Sequence, residues 1–303
     1  MRTAFIRTLK EITAGHPEVW LLCGDLGFSV LEGFAAQYPD RYVNMGVAEQ
    51  NMTGVAAGLA LSGKTVFTYS IANFPTIRCL EQIRNDVCYH NLNVKIVAVG
   101  GGFAYGSAGY THHGLEDLAV MRVMPNMTIF APGDPVEAAW ATEACLAQHG
   151  PCYLRLGKGG EPVIHAAKPR LEIGKAILIR EGSDLTVVTS AGTLQLALDA
   201  AASLAIDGIS AEVLSFPTLQ PFDFSSLGLS LTKTGRLITI EEHGKGGLGS
   251  IVAEFLAVSD RRTKFRPLCV NGTPGNTAGG RNALCKRAGL SVENVAQLAR
   301  TLL

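Results

Sequence analysis

The sequence predicts an α/β protein of two doubly wound domains, a first built on a parallel sheet and a second, smaller one. Two observations lead there. Short apolar runs alternate along the chain with longer segments of helical periodicity, the order expected of strands joined by crossover helices. That alternation lapses in KGGEPVIHAAKPR, Lys158 to Arg170, where Gly and Pro gather as in a linker. The expected organisation is a domain over 1–160, a linker over 161–172 and a domain over 173–303, and a chain of 303 residues is long enough for two cores.

In MRTAFIRTLKEI, Phe5, Ile6, Leu9 and Ile12 share one helical face, while Lys10 and Glu11 interrupt any signal-peptide core. VWLLCGD, Val19 to Asp25, reads as a buried strand feeding a polar loop, and such loops are where open α/β sheets bind ligands. The next stretch, NMGVAEQNMTGVAAGLALSGK from Asn44 to Lys64, is the one the rest is organised around. Val55, Ala56, Leu59 and Ala60 recur at helical spacing, which predicts a buried, tightly packed helix over 51–61. Glu49 stands alone at its mouth. A single carboxyl entering a packed interior must be paired, hydrogen-bonded or protonated, and any of these suits an acid or base. The same residue also fits the first turn of an ordinary helix, where the dipole favours an acid. Then follow the strand TVFTYS, a helix from about Thr76 to Cys88, the strand VKIVAVG, a glycine-rich loop, a helix near Leu115 to Met124, the strand MTIFAP, a helix Pro135 to Gln148 and the strand CYLRLG. After the linker come AILIR, LTVVTS, a helix up to Ala205, AEVLSF, RLITIEE, a helix Gly247 to Ala257, FRPLCV and a terminal helix.

Basic and acidic residues balance at 26 each, so there is no basic footprint for nucleic acid. No apolar run approaches membrane-spanning length. The seven cysteines lack CxxC spacing, and Cys23, Cys145 and Cys269 sit in apolar settings. Reduced thiols in a cytoplasmic protein are expected, with no cysteine metal site. The partners expected are small molecules and other protein chains.

NMGVAEQNMTGVAAGLALSGK, EQIRNDVCYHNLNVKIV, GYTHHGLEDLAVMRVMPNMTIFAPGDPVEA and EEHGKGGLGS together resemble the C-terminal half of a transketolase, in order and spacing, over nearly the whole chain. The resemblance implies a domain that binds the pyrimidine of thiamine diphosphate, then a transketolase C-terminal domain. The diphosphate and its metal, Mg²⁺ or Ca²⁺, belong to the other half, marked by a GDG and a distant NN. Neither occurs here: the GD pairs at Gly24 and Gly133 lack the following glycine. The implied protein is the small subunit of a split enzyme, active with an N-terminal subunit and expected as α2β2.

The resemblance also assigns residues. Glu49 matches the carboxyl that shares a proton with the far nitrogen of the aminopyrimidine and so activates the cofactor. Phe74 aligns with the stacking aromatic. Ile71 and Ile77 fall where the family often has further aromatic or small residues at the cofactor, although core packing suits them better. Asp25 lies where the family has an acid near the cofactor, and Ser29 where it has a serine near substrate phosphate. Arg155 and Arg2 match arginines that hold that phosphate. His112 matches a histidine that contacts the reacting oxygens, and His113 replaces a glutamine beside it; histidine suits proton transfer at neutral pH. The chain departs from its relatives at Ala108 and near Gly100, where an acid and a histidine are usual. Tyr105 and Tyr110 are available to fill that space. His243 matches a motif of the second domain with either a structural or a catalytic role. Three alternatives share parts of the pattern: a deoxyxylulose phosphate synthase, the beta subunit of a 2-oxo-acid dehydrogenase, and a non-catalytic scaffold. THHG in place of a QHSQ pattern, and PNMT in place of HxPG, favour transketolase over the dehydrogenase subunit.

Overall fold

The first sheet is built from apolar runs that are buried on both faces, the condition under which parallel strands pair. A computed structural model describes residues 1–167, 169–271 and 278–303. The first domain runs α1 (Arg2–Thr13), β1 (Val19–Cys23), α2 (Glu32–Gln37), β2 (Tyr42–Asn44), α3 (Glu49–Leu61), β3 (Thr65–Ile71), α4 (Leu80–Gln82), β4 (Val94–Val99), α5 (Asp117–Arg122), β5 (Thr128–Phe130), α6 (Pro135–Ala147) and β6 (Cys152–Leu156). The second runs β7 (Ile177–Arg180), β8 (Leu185–Thr189), α7 (Leu194–Ile206), β9 (Ala211–Ser215), β10 (Thr218–Gln220), α8 (Phe224–Thr234), β11 (Arg236–Ile240), α9 (Leu248–Ala257), β12 (Lys264–Leu268), α10 (Arg281–Arg287) and α11 (Val292–Leu302).

The sheets have orders β10-β5-β6-β4-β3-β1-β2 and β12-β11-β8-β9-β7. All pairs are parallel except β10 with β5 and β7 with β9. The edge strand β10 comes from the second half of the chain and completes the first sheet, which stitches the two domains together. The apolar core is continuous across that seam, where Ile129 and Ala131 of the first domain cluster with Val188, Leu214 and Phe216 of the second.

Among the described residues, the segment after Leu156 has no regular element until β7. It is held by the start of α6. Asp134 caps that helix by accepting the Glu137 N–H, and its other oxygen accepts the N–H groups of Ile164 and His165. The His165 ring meets Glu137 at 2.9 Å, and that hydrogen bond raises its pKa. Each carboxylate oxygen in this cluster already accepts a hydrogen bond, so the trio works as a latch on the linker.

Two expectations need correction. Helix α3 is buried on one side only: Met52, Thr53, Ala56 and Ala57 face the sheet, while Gly54, Val55, Gly58 and Leu61 face outward. Its residues are apolar all round, but the sheet backs one face. The helix expected over 76–88 is instead a 3₁₀ turn at Ile77–Cys79, the short α4, and a π-helical stretch at Ile83–Cys88. Periodicity cannot separate these forms, which differ by one residue in hydrogen-bond reach.

Candidate active site

Glu49 opens α3 just past the C-terminal end of β2, and its side chain turns inward to 1% exposure. Its oxygens are both satisfied. Oε1 accepts the Ser70 hydroxyl at 3.0 Å, and Oε2 accepts Arg78 Nη1 at 2.6 Å. Arg78 is half-exposed and sits over Phe74, its guanidinium carbon 4.6 Å from the ring centroid. A planar group that stacks on Phe74 while donating N–H to Glu49 makes the contacts an aminopyrimidine needs. The guanidinium thus stands in for that ring, and the residues present fit thiamine diphosphate. Sequence reasoning missed Arg78; its one signal was a position four residues after Phe74.

The line of rings continues from there. Phe74 meets His112 edge-on at 5.3 Å, His112 lies 6.0 Å from Tyr105, and Lys158 Nζ sits 4.6 Å above the Tyr105 ring. Glu49, Phe74, His112 and Lys158 follow β2, β3, β4 and β6, so a single row runs over the C-terminal ends of the parallel strands. At its far end Lys158 and the start of the linker line an interdomain cleft of about 400 Å³. Tyr105 occupies the place a side chain at Gly100 would take: a Cβ there would lie 2.1 Å from its ring. Burial raises the Tyr105 pKa, opposed by the nearby charge of Arg2.

His113, expected beside His112 in the chemistry, points the other way. It is buried, Nε2 contacts the Gly106 carbonyl at 2.9 Å, and Phe103 packs edge-on against it. Consecutive residues of this turn face opposite sides, so His112 alone reaches the row. Arg155, expected to hold an anion, lines the interdomain cleft but is engaged within the chain. Rather than offering a free fork to an anion, it is 3% exposed and donates from Nε to Asp117 at 2.7 Å and from Nη2 to the carbonyls of Gly114 and Glu242. Burial pushes the Asp117 carboxyl up, but the charge of Arg155 and the bonds from Arg155 and Tyr153 outweigh it, leaving the pKa below the ordinary value. Lys158, three residues on and exposed, is a cation at the end of the row.

The remaining residues lie around the rim. Asp25 is exposed in a left-handed conformation and exchanges two hydrogen bonds with Asn44. Ser29 is exposed in the loop that leads into α2, its N–H held by Glu32. Arg2 is half-buried within reach of Tyr105 and Gly159. Ile71 ends β3 half-buried, whereas Ile77 is exposed, so core packing does not account for it. His243 is fully buried, and burial lowers its pKa to about 4. In the neutral ring, Nδ1 donates to the Gly244 carbonyl and Nε2 accepts the Leu118 N–H at 3.1 Å, which makes it a structural tie.

Residues 1–161 match the transketolase pyrimidine-binding domain, and residues 174–295 match the transketolase C-terminal domain. The chain belongs to the transketolase family. Within it, the likeness is to separately encoded C-terminal subunits. One subunit of the apulose-4-phosphate transketolase of Phocaeicola vulgatus is 38% identical over 84% of this chain and 83% of its own length. The 6-deoxy-6-sulfo-D-fructose transketolase subunit SqwH of a Clostridium species is 39% identical over 84% and 80%. A solved split-gene transketolase, described as an inactive beta4 tetramer, superposes with a TM-score of 0.92 at 38% identity, covering 100% of this chain and 97% of its own. A 1-deoxy-D-xylulose-5-phosphate synthase of Desulfotalea psychrophila is 37% identical, but this chain spans only 40% of it. The family implies thiamine diphosphate as cofactor.

Proposed function

We propose that this chain is the cofactor-activating subunit of a two-subunit transketolase, which moves a two-carbon ketol unit from a ketose to an aldose. The observation that carries this reading is the row from Glu49 through Phe74 and His112 to Lys158. Bound thiamine diphosphate supplies the nucleophilic carbon and the electron sink for carbon–carbon cleavage. Glu49 holds a proton against the pyrimidine, with Ser70 fixing its carboxylate. Phe74 seats the ring from the side that Arg78 now covers. His112, at the centre of the row, exchanges protons with the hydroxyl and carbonyl oxygens of the sugar.

Lys158, assisted by Arg2, meets an anionic end of the substrate. Both relatives with split subunits carry an anionic sugar in their names, one phosphorylated and one sulfonated. Ser29 and Asp25 complete the rim. His113 and Arg155 support the site from beneath rather than touching substrate.

The diphosphate and its Mg²⁺ or Ca²⁺ are assigned to the N-terminal subunit. That subunit docks on the outward face of α3, where Val55 and Leu61 flank Gly54 and Gly58, together with exposed Val47 and Phe28. Two copies of each chain then make α2β2. The unbridged cysteines agree with a cytoplasmic setting. In the assembled complex Glu49→Gln should cut ketol transfer by about 10²- to 10⁴-fold, the range of acid–base assistance. Steady-state assay with a ketose donor checks it, and undiminished turnover would refute the role.

A further inference from the structure

The loop between β4 and α5 carries His112, yet much of its anchoring comes from the other domain. Its two feet are joined by a pair of backbone bonds between Gly102 and Gly114, at 2.7 and 3.0 Å. Both feet are then gripped by the turn after β11. On the first, the Phe103 N–H donates to Glu242 Oε1 at 2.7 Å. On the second, the Gly244 N–H donates to the Leu115 carbonyl at 2.7 Å, and the Leu118 N–H donates to His243. Gly102 has φ +68° and a Cβ there would lie 2.6 Å from the Glu242 carboxyl, so loop and carboxylate are in direct contact.

Glu242 is itself over-determined. It is 4% exposed, its Oε2 accepts Arg281 Nε at 3.0 Å and Nη2 at 2.5 Å, and its backbone carbonyl accepts Arg155. A buried carboxylate that is saturated in this way holds its position, and through Phe103 it sets the foot of the histidine loop. We propose that Glu242 is a positioning residue for His112, so that the second domain fixes the height of that histidine over Phe74. Glu242 acts on His112 through the loop.

This rests on the reading that His112 serves the reaction, and a double-mutant cycle in the assembled two-subunit complex separates the two. Glu242→Ala should lower kcat on the order of 10- to 100-fold, as a displacement of about 1 Å in a reacting group does, with KM and cofactor affinity held within about twofold. Glu242→Gln keeps one oxygen for the Phe103 N–H and should recover much of that loss. In a His112→Ala background, Glu242→Ala should cost nothing further, because the group it positions is gone. A loss just as large in that background, or a kcat within about twofold of wild type, overturns the proposal. Should Glu242→Ala yield no folded complex, Glu242→Asp, whose shorter side chain draws the carboxylate back from the Phe103 N–H, carries the same cycle, and the same two outcomes decide it. A wild-type complex without ketol transfer would overturn the functional reading instead.

Discussion

Glu49 shows how one side chain can be legible in a sequence while its partners are not. A lone acid at the mouth of an apolar helix had to be paired, hydrogen-bonded or protonated, and it is paired with Arg78 and hydrogen-bonded to Ser70. The partners come from β3 and the turn beyond it, so only the folded sheet brings them in. Arg78 covers the surfaces of Glu49 and Phe74 that the proposed function gives to the pyrimidine, so on that reading the cofactor displaces it. Arg78→Ala should therefore tighten binding of thiamine diphosphate to the assembled pair, as read by calorimetry. Weaker binding would mean that Arg78 helps to hold the cofactor. Arg155 is the reverse lesson. Its residue type suited an anion and its strand was legible as CYLRLG, but nothing in that run reveals that inside β6 it turns toward Asp117, a residue 38 positions earlier.

Among the elements, the strands were the most legible, because runs such as VKIVAV and LTVVT are buried on both faces and leave a continuous apolar signature. Strand β10 was not, since its three residues carry no period and are held by pairing with β5. Helix α3 was read as a helix but assigned too much burial. Its outward face is the clearest sign of a missing partner, because Gly54 and Gly58 leave room there: a Cβ on either meets no atom within 4 Å. Gly58→Gln should thus leave the isolated chain at least as stable, since glycine inside a helix costs roughly 0.5–1 kcal/mol, yet block assembly with the partner subunit. Thermal unfolding of the chain alone, beside size-exclusion analysis of the mixture, checks both halves. Assembly that survives the substitution would move the docking face elsewhere.

At the scale of the molecule, the two domains are less separate than the restart of alternation after the linker suggests. Strand β10 returns to the first sheet, the core crosses the seam, and Glu242 and His243 reach back to the loop that carries His112. Such long-range ties have no local signal, which is why EEHG alone does not reveal its role. On the proposed reading the whole presents half of a site: a row that begins at the carboxyl of Glu49 and ends at a cation, with an apolar helix face exposed beside it. The measurement that tests this most directly is a calorimetric titration of thiamine diphosphate with Mg²⁺, first into this chain alone and then into its mixture with an N-terminal transketolase subunit. Binding in the mixture and none to the chain alone is the predicted result. Tight, metal-dependent binding to the isolated chain would contradict the half-site.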